Sequence, residues 1–339
     1  MSILVTGGTG FIGSHTVVEL LKRGEEVVIV DNLKNSKKCV LDRIKTITGI
    51  MPIFEKVDLL DKDALDAVFD KYPEIDSVIH FAGLKAVGES VQLPILYYHN
   101  NLTGTFHLLD SMAKHGVNRI VFSSSATVYG TPKSVPISED FDLSTTNPYG
   151  ETKLMIERIL KDACHARPEL SACVLRYFNP IGAHESGLIG EDPRGIPNNL
   201  LPYVARVAAG KLDYLRVFGN DYPTRDGTGV RDYIHVVDLS LAHLCALERT
   251  RKVSGIEYYN IGTGTGYSVL EIVHAFEKAW GGEVPYKITE RRSGDIAECY
   301  ANPERAYKIL GWRAERDLAK MCEDAARWQK QNPDGYPDD

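Results

Sequence analysis

Thr6-Gly7-Gly8-Thr9-Gly10-Phe11-Ile12-Gly13 is the stretch that decides the fold. It follows a short β-branched run, Ser2 to Thr6, and leads into an amphipathic run, Ser14 to Arg23, so a GxGxxG (Gly8, Gly10, Gly13) stands where a strand turns into a helix. Glycines there allow the tight turn, let backbone approach a pyrophosphate, and let the helix pack on the sheet. The helix N-terminus adds amide donors and partial positive charge. Asp31, 18 residues beyond Gly13, ends the next predicted strand, where a carboxylate accepts the hydroxyls of an adenosine ribose. The same carboxylate repels a 2′-phosphate, and no Arg lies between Asp31 and Asn35, so the expected cofactor is NAD.

Outward from this turn, β-branched runs alternate with helical patterns. Strands are predicted at Ser2 to Thr6, Glu26 to Asp31, Pro52 to Lys56, Ser77 to Phe81, Asn118 to Ser123 and Ser171 to Tyr177; helices at Ser14 to Arg23, Asp63 to Tyr72, Ile95 to His115 and Tyr149 to Ala166. That order predicts an α/β fold with a Rossmann-type, doubly wound parallel sheet over residues 1–177. A Gly/Pro/Asn-rich tract, Phe178 to Asn199, reads as a long functional loop. Residues 178–339 then form a smaller α+β substrate region, with helices near Leu200 to Gly210, Val236 to Thr250, Val269 to Trp280 and Leu318 to Gln331 and strands near Leu215 to Phe218 and Glu257 to Ile261; segments near 230–262 complete the first domain. Gly262-Thr263-Gly264-Thr265-Gly266-Tyr267-Ser268 also joins a strand to a helix. It lacks the third glycine and the strand-end acid, and is read as a structural loop.

Tyr149 and Lys153 lie four apart in a helical segment and so share one face, with Ser125 just past a strand upstream. A phenol has a reference pKa of about 10, and bringing it near 7 takes about 4 kcal/mol. One cation about 5 Å away at an effective dielectric of about 20 supplies roughly 3 kcal/mol. A tyrosine base therefore needs a lysine and a second positive charge, which an oxidised nicotinamide ring would provide.

Composition excludes other classes. Among 339 residues, 39 Lys and Arg against 46 Asp and Glu leave a net charge of −7, too acidic for sequence-independent nucleic-acid binding or for an anionic membrane surface. With 43% hydrophobic and 25% charged residues the chain is of globular type, and no apolar run reaches the roughly 20 residues of a membrane span. Cys39, Cys164, Cys173, Cys245, Cys299 and Cys322 show no CxxC spacing, so reduced thiols, a cytoplasmic location and no metal site are expected.

Phe81 to Ser90 (FAGLKAVGES), Ser123 to Gly130 (SSSATVYG), Arg176 to Pro180 (RYFNP), Pro197 to Leu200 (PNNL) and Gly229 to His235 (GVRDYIH), together with the glycine turn and the Tyr149/Lys153 pair, resemble the UDP-galactose 4-epimerase family of the extended short-chain dehydrogenases/reductases. The resemblance runs from Ile3 to about Tyr336. It implies NAD-dependent interconversion of UDP-galactose and UDP-glucose, with Tyr149 as base, Lys153 lowering its pKa and Ser125 bonding the same oxygen. It implies an NAD site of Gly7, Gly10, Phe11, Ile12, Gly13, Asp31, Asn32, Leu33, Lys34, Asn35, Ser36, Asp58, Leu59, Phe81, Ala82, Gly83, Leu84, Lys85, Asn100, Ser125, Tyr149, Lys153, Tyr177 and Phe178. The UDP-sugar would meet Lys85, Ser125, Ala126, Thr127, Tyr149, Tyr177, Phe178, Asn179, Asn198, Asn199, Leu200, Arg216, Val217, Phe218, Arg231, Arg292, Asp295 and Cys299. Cys299 stands where family members confined to unsubstituted sugars carry Tyr, so N-acetylated UDP-sugars are expected to be accepted too. Apolar positions beyond one stripe (Leu96, Leu102, Phe106, Leu108, Leu109; Leu154, Met155, Ile156, Ile159, Leu160) fit a homodimer built on the family's four-helix bundle. A nucleotide-sugar 4,6-dehydratase would need an Asp-Glu pair after the hydroxyl residue, where this chain has Ala126 and Thr127. A uronate decarboxylase is a further alternative, and an NAD(H)-sensing regulator would have no need of Tyr149 and Lys153.

Overall fold

In the computed structural model, which describes residues 1–193, 195, 197, 199–292 and 295–337, the strands are β1 (Ser2–Thr6), β2 (Glu26–Val30), β3 (Ile53–Glu55), β4 (Ile75–His80), β5 (Arg119–Ser125), β6 (Ser171–Tyr177), β7 (Asn179–Ile181), β8 (Leu215–Phe218), β9 (Val230–His235), β10 (Gly255–Ile261), β11 (Gly266–Ser268), β12 (Tyr286–Thr289) and β13 (Glu298–Cys299). The helices are α1 (Phe11–Lys22), α2 (Val40–Thr48), α3 (Lys62–Lys71), α4 (Val87–Gln92), α5 (Pro94–Tyr98), α6 (Gly104–Lys114), α7 (Pro148–Ala166), α8 (Leu200–Ala208), α9 (Val236–Thr250), α10 (Val269–Trp280) and α11 (Leu318–Gln331).

Seven strands form one parallel sheet in the order β10-β6-β5-β4-β1-β2-β3. Strand period two sorts its core: Ile3 and Val5 face one side with Val17, Ile29 and Leu239, while Leu4 faces the other with Val28, Phe69, Leu108 and Ile156. The six predicted strands all form. The predicted strand Glu257 to Ile261 becomes the seventh, and α9 packs against α1 on the first of those faces. Chain that follows the long loop therefore returns to finish the main sheet. The remainder builds a four-stranded sheet of β11, β9, β13 and β7 and a two-stranded pair, β12 and β8, over a separate core of Val204, Val217, Ile272 and Phe276.

One prediction fails locally. The helix expected from Ile95 to His115 is broken: α5 ends at Tyr98, a π-helical turn spans His99–Thr103, and α6 resumes at Gly104. The extra residue in that turn leaves Asn101 buried beneath the loop after β4.

The order of the sheet reverses between β1 and β4, and this switch point opens a crevice at the C-terminal strand ends. Asp31, Phe81, Ser125 and Tyr177 all lie at those ends.

Candidate active site

The glycine turn closes one wall. Gly7 has φ +70°, and a Cβ there would stand 2.9 Å from Ala82 N, so the loops after β1 and β4 touch through glycine. A Cβ on Gly13 would lie 2.2 Å from Gly7 O, which packs the first turn of α1 onto the loop. Gly10 caps α1 without a side chain and leaves space before the first-turn amides of Phe11, Ile12 and Gly13.

Asp31 organises the next loop. Its carboxylate accepts Thr9 N at 3.2 Å, Leu33 N at 2.9 Å and Ser36 Oγ at 3.2 Å. Leu33 adopts φ 59°, and Asn32 accepts Lys34 N and donates to Asp58 Oδ2. Residues 31–36 and 58 thus share one cluster, with Leu59 beside it packed under Gly104. An uncapped helix start and a carboxylate at the end of β2 match the diphosphate and ribose diol of a dinucleotide.

On the other side of the crevice, Phe81 lies 4.7 Å from His243 between ring centroids, and the Tyr177 hydroxyl bonds His243 Nε2. His243 Nδ1 is directed at Leu239 O, and burial pulls this imidazole down to about 3, so it is neutral and accepts from Tyr177. Asn101 holds the loop from Gly83 to Leu84, accepting Leu84 N at 2.8 Å and donating to Leu84 O and to Thr152 Oγ1. Asn100, the residue the sequence pointed to, donates to Asn101 Oδ1. The adjacent asparagine, revealed only by the π turn, does the positioning.

Tyr149 and Lys153 occupy the first two turns of α7, which Asn147 caps through Gly150 N. Lys153 is buried and donates to Ser123 O at 2.6 Å, with its Nζ 5.9 Å from the Tyr149 ring centroid and 4.9 Å from that of Phe122. Burial pushes the half-buried Tyr149 phenol up to about 12 and draws Lys153 down to about 8; the Ser125 hydroxyl opposes the first shift and the Glu157 carboxylate the second. Ser125 Oγ accepts Thr127 N at 3.2 Å and Thr127 Oγ1 at 3.0 Å, so Ala126 and Thr127 form the turn beside it.

The opposite wall comes from the C-terminal region. Arg292 stacks on Phe218 at 4.7 Å and pairs with Asp295 at 2.9 Å, and Arg231 lies 3.9 Å from the same carboxylate. Cys299 faces Arg231 across the β13/β9 ladder and packs against the small core that contains Phe178, Tyr129 and Ala301; burial raises its thiol to about 11. Asn179 opens β7 and is exposed. Asn199 precedes α8, where Leu200 begins, and donates to Glu191 at 2.7 Å; Glu191 also pairs with Lys85 at 3.1 Å. Glu191, absent from the sequence-based set, thereby links the two walls. Asn198 lies outside the described residues. Val217 departs from expectation: it is buried in the C-terminal core because strand alternation turns it inward, and leaves only its backbone for a ligand. Its neighbour Arg216 is exposed. The Gly262 to Ser268 loop is held by the buried Asp232, which accepts Thr263 N and Gly264 N.

The model of the NAD dependent epimerase/dehydratase family matches residues 3–262. The chain belongs to that family. Among its relatives, UDP-glucose 4-epimerase of Bacillus subtilis is 63% identical over 336 residues, covering 99% of both chains, and that of Haemophilus influenzae is 61% identical over the full length of both. The crystal structure of UDP-glucose 4-epimerase from Bifidobacterium longum in complex with NAD+ and UDP superposes with a TM-score of 0.96 at 54% identity, covering 99% of this chain and 100% of that one. Family membership accounts for the glycine turn, which lies in the matched span. Phe218, Arg292, Asp295 and Cys299 fall in or near the other wall, and of these Arg292, Asp295 and Cys299 lie beyond that span.

Proposed function

We propose that the chain interconverts UDP-galactose and UDP-glucose by NAD-dependent oxidation at C4 of the sugar, turning of the 4-keto sugar within the site, and re-reduction on its opposite face. The observation that carries this reading is the convergence of Ser125, Tyr149 and Lys153 at the end of β5, beside a dinucleotide turn and opposite the Arg231/Arg292 wall. Bound NAD supplies the acceptor and later the donor of the hydride, and in its oxidised form a positive ring charge. Tyr149, as phenolate, takes the proton of the sugar 4-hydroxyl, Ser125 hydrogen-bonds that oxygen, and Lys153 holds a positive charge near the phenol. Asp31 takes the adenosine ribose, and the first-turn amides of α1 take the pyrophosphate. Arg231 and Arg292 anchor the UDP diphosphate through guanidinium forks. Binding energy placed on UDP leaves the sugar free to turn while the nucleotide stays fixed.

Residues 1–177, with the segments near 230–262, form the NAD-binding part, and the remaining C-terminal residues the UDP-sugar part. Cys299 leaves room near the sugar, so UDP-N-acetylglucosamine and UDP-N-acetylgalactosamine are interconverted as well. The active form is a cytoplasmic homodimer joined through a four-helix bundle; the described residues contain no helix long and apolar enough to cross a membrane. Incubating the purified protein with UDP-galactose and separating the products tests the main reading. UDP-glucose is expected, and a 4-keto-6-deoxy product or no turnover overturns it.

A further inference from the structure

Behind the reacting groups lies a buried charged network that the proposed chemistry leaves unused. On α7, Tyr149, Lys153 and Glu157 recur every fourth residue and so share one face. Each of the last three residues of β5 answers one of them. Ser125 lies against the Tyr149 phenol, Ser123 O accepts Lys153 at 2.6 Å, and Ser124 Oγ donates to Glu157 Oε1 at 2.5 Å. Glu157 is itself clamped by the fork of Arg176, with Nε on Oε1 at 3.1 Å and Nη2 on Oε2 at 2.7 Å; each side chain is 2% exposed. Arg176 cannot swing away. It lies between the rings of Tyr129 and Tyr258, at 5.0 and 4.9 Å, and donates to Tyr129 OH at 2.8 Å and Glu139 O at 3.2 Å. Tyr129 closes the short turn that starts beside Ser125 and donates to Asn260 on β10.

A buried ion pair of this kind contributes little stability beyond what apolar side chains would give, because desolvation offsets the attraction. What it adds here is position and charge. We propose that Glu157, held by Arg176, is a positioning residue that sets the register of α7 on β5 and keeps the Lys153 ammonium charged beneath Tyr149. The titratable groups on the elements packed around Lys153 and Tyr149 include Glu157 and Glu151 on α7, His80 on β4, Tyr97 on α5 with Glu89 of α4 accepting from its hydroxyl, Tyr177 on β6 and Tyr258 on β10, with Arg176 behind Glu157. Burial holds His80 neutral and the phenols protonated, and Glu157 is the carboxylate that acts on the Lys153 ammonium.

This inference rests on the reaction proposed above, and wild-type turnover of UDP-galactose, measured in the same assay, separates the two. No wild-type turnover sinks the reaction; wild-type turnover with unaffected variants sinks only the role of Glu157. Glu157→Gln keeps size and the acceptor for Ser124 but removes the charge. Its kcat is expected to fall about tenfold or more with KM and NAD content near wild type, and the alkaline limb of its kcat–pH profile to move about one unit toward lower pH as Lys153 loses its proton earlier. Glu157→Gln with Arg176→Met leaves no guanidinium buried without its carboxylate and carries the same direction of change should the single variant fail to fold. Ser124→Ala keeps the ion pair and is expected to lower kcat with the alkaline limb unmoved. Unchanged kcat in Ser124→Ala, or an unmoved limb in the folded charge variant, overturns the proposal, the latter because lost packing alone would not shift a titration.

Discussion

Burial pushes the Tyr149 phenol up to about 12, so the folded chain by itself makes this tyrosine a weaker acid, not a stronger one. Lys153, drawn down to about 8 and still charged at neutral pH, would have to reverse that shift together with the positive ring that a bound NAD+ would bring. Tyr149→Phe keeps the ring and removes the oxygen; bound NAD and melting temperature should survive while turnover of UDP-galactose drops by about 10² or more. Turnover near wild type would remove Tyr149 from the base role. Cys299, packed against the small core that contains Phe178, offers a second test at this scale. Cys299→Tyr should abolish turnover of UDP-N-acetylglucosamine and spare that of UDP-galactose; equal losses on both would show that the side chain does not gate the sugar pocket. Tyr300 is adjacent in sequence, and its chain carbonyl accepts Ile137 N.

The turn between β1 and α1 works because three backbone segments meet without side chains. Gly13→Ala would set a Cβ 2.2 Å from Gly7 O, and the helix must move away from the loop to admit it. Loss of bound NAD and a lowered melting temperature are expected. Gly88→Ala, in the exposed helix α4 with nothing within 4 Å of the new atom, serves as the comparison and should be neutral or stabilise by up to about 1 kcal/mol. Equal behaviour of the two variants would show that the close approach at Gly13 is not what excludes a side chain. The break between α5 and α6 belongs to the same scale. A continuous 3.6-residue pattern runs from Ile95 to His115, yet the π turn rotates Asn101 inward to bond the loop after β4.

His15, His80 and His243 are each almost wholly buried, and burial pulls all three to about 3. An unfolded imidazole titrates near 6.5, so between pH 3 and 6.5 the unfolded chain binds protons that the folded chain refuses. Stability is therefore full above about pH 6.5 and falls below it by about 1.4 kcal/mol per pH unit for each histidine. Melting temperature should drop steeply below about pH 6, and His15→Gln should flatten that slope; an unchanged slope would contradict the assignment. The surface of the subunit bears on assembly. Of the apolar positions singled out in the sequence, Leu108, Leu154, Ile156 and Leu160 are core residues, and Leu102 and Leu109 pack against that core, because α6 and α7 cover the sheet. Of the singled-out positions Leu96 and Phe106 are exposed, and with Val91 and Ile95, the latter at 76% exposure, they place a group of exposed apolar side chains on α4 to α6. Sedimentation at micromolar concentration should give a dimer and Phe106→Glu a monomer, and a monomeric wild type would exclude the bundle.

From residue order alone follow the glycine turn, Asp31, the Tyr149/Lys153 pair and the six alternating strands, because each rests on local spacing: period two in strands, four residues per helical face, a fixed offset from turn to acid. Residues joined across long separations follow from tertiary structure only. Glu157 reads as an ordinary helix carboxylate until Arg176 and Ser124 close on it from two strands. Glu191 becomes visible when Lys85 and Asn199 reach it from opposite walls, and Asp232 when it gathers amides from Thr263, Gly264 and Ala301. The inward turn of Val217 and the place of the seventh strand, itself read from the sequence, at the edge beside β6 were decided there too, since burial against a particular neighbour has no signature in the spacing of a single segment.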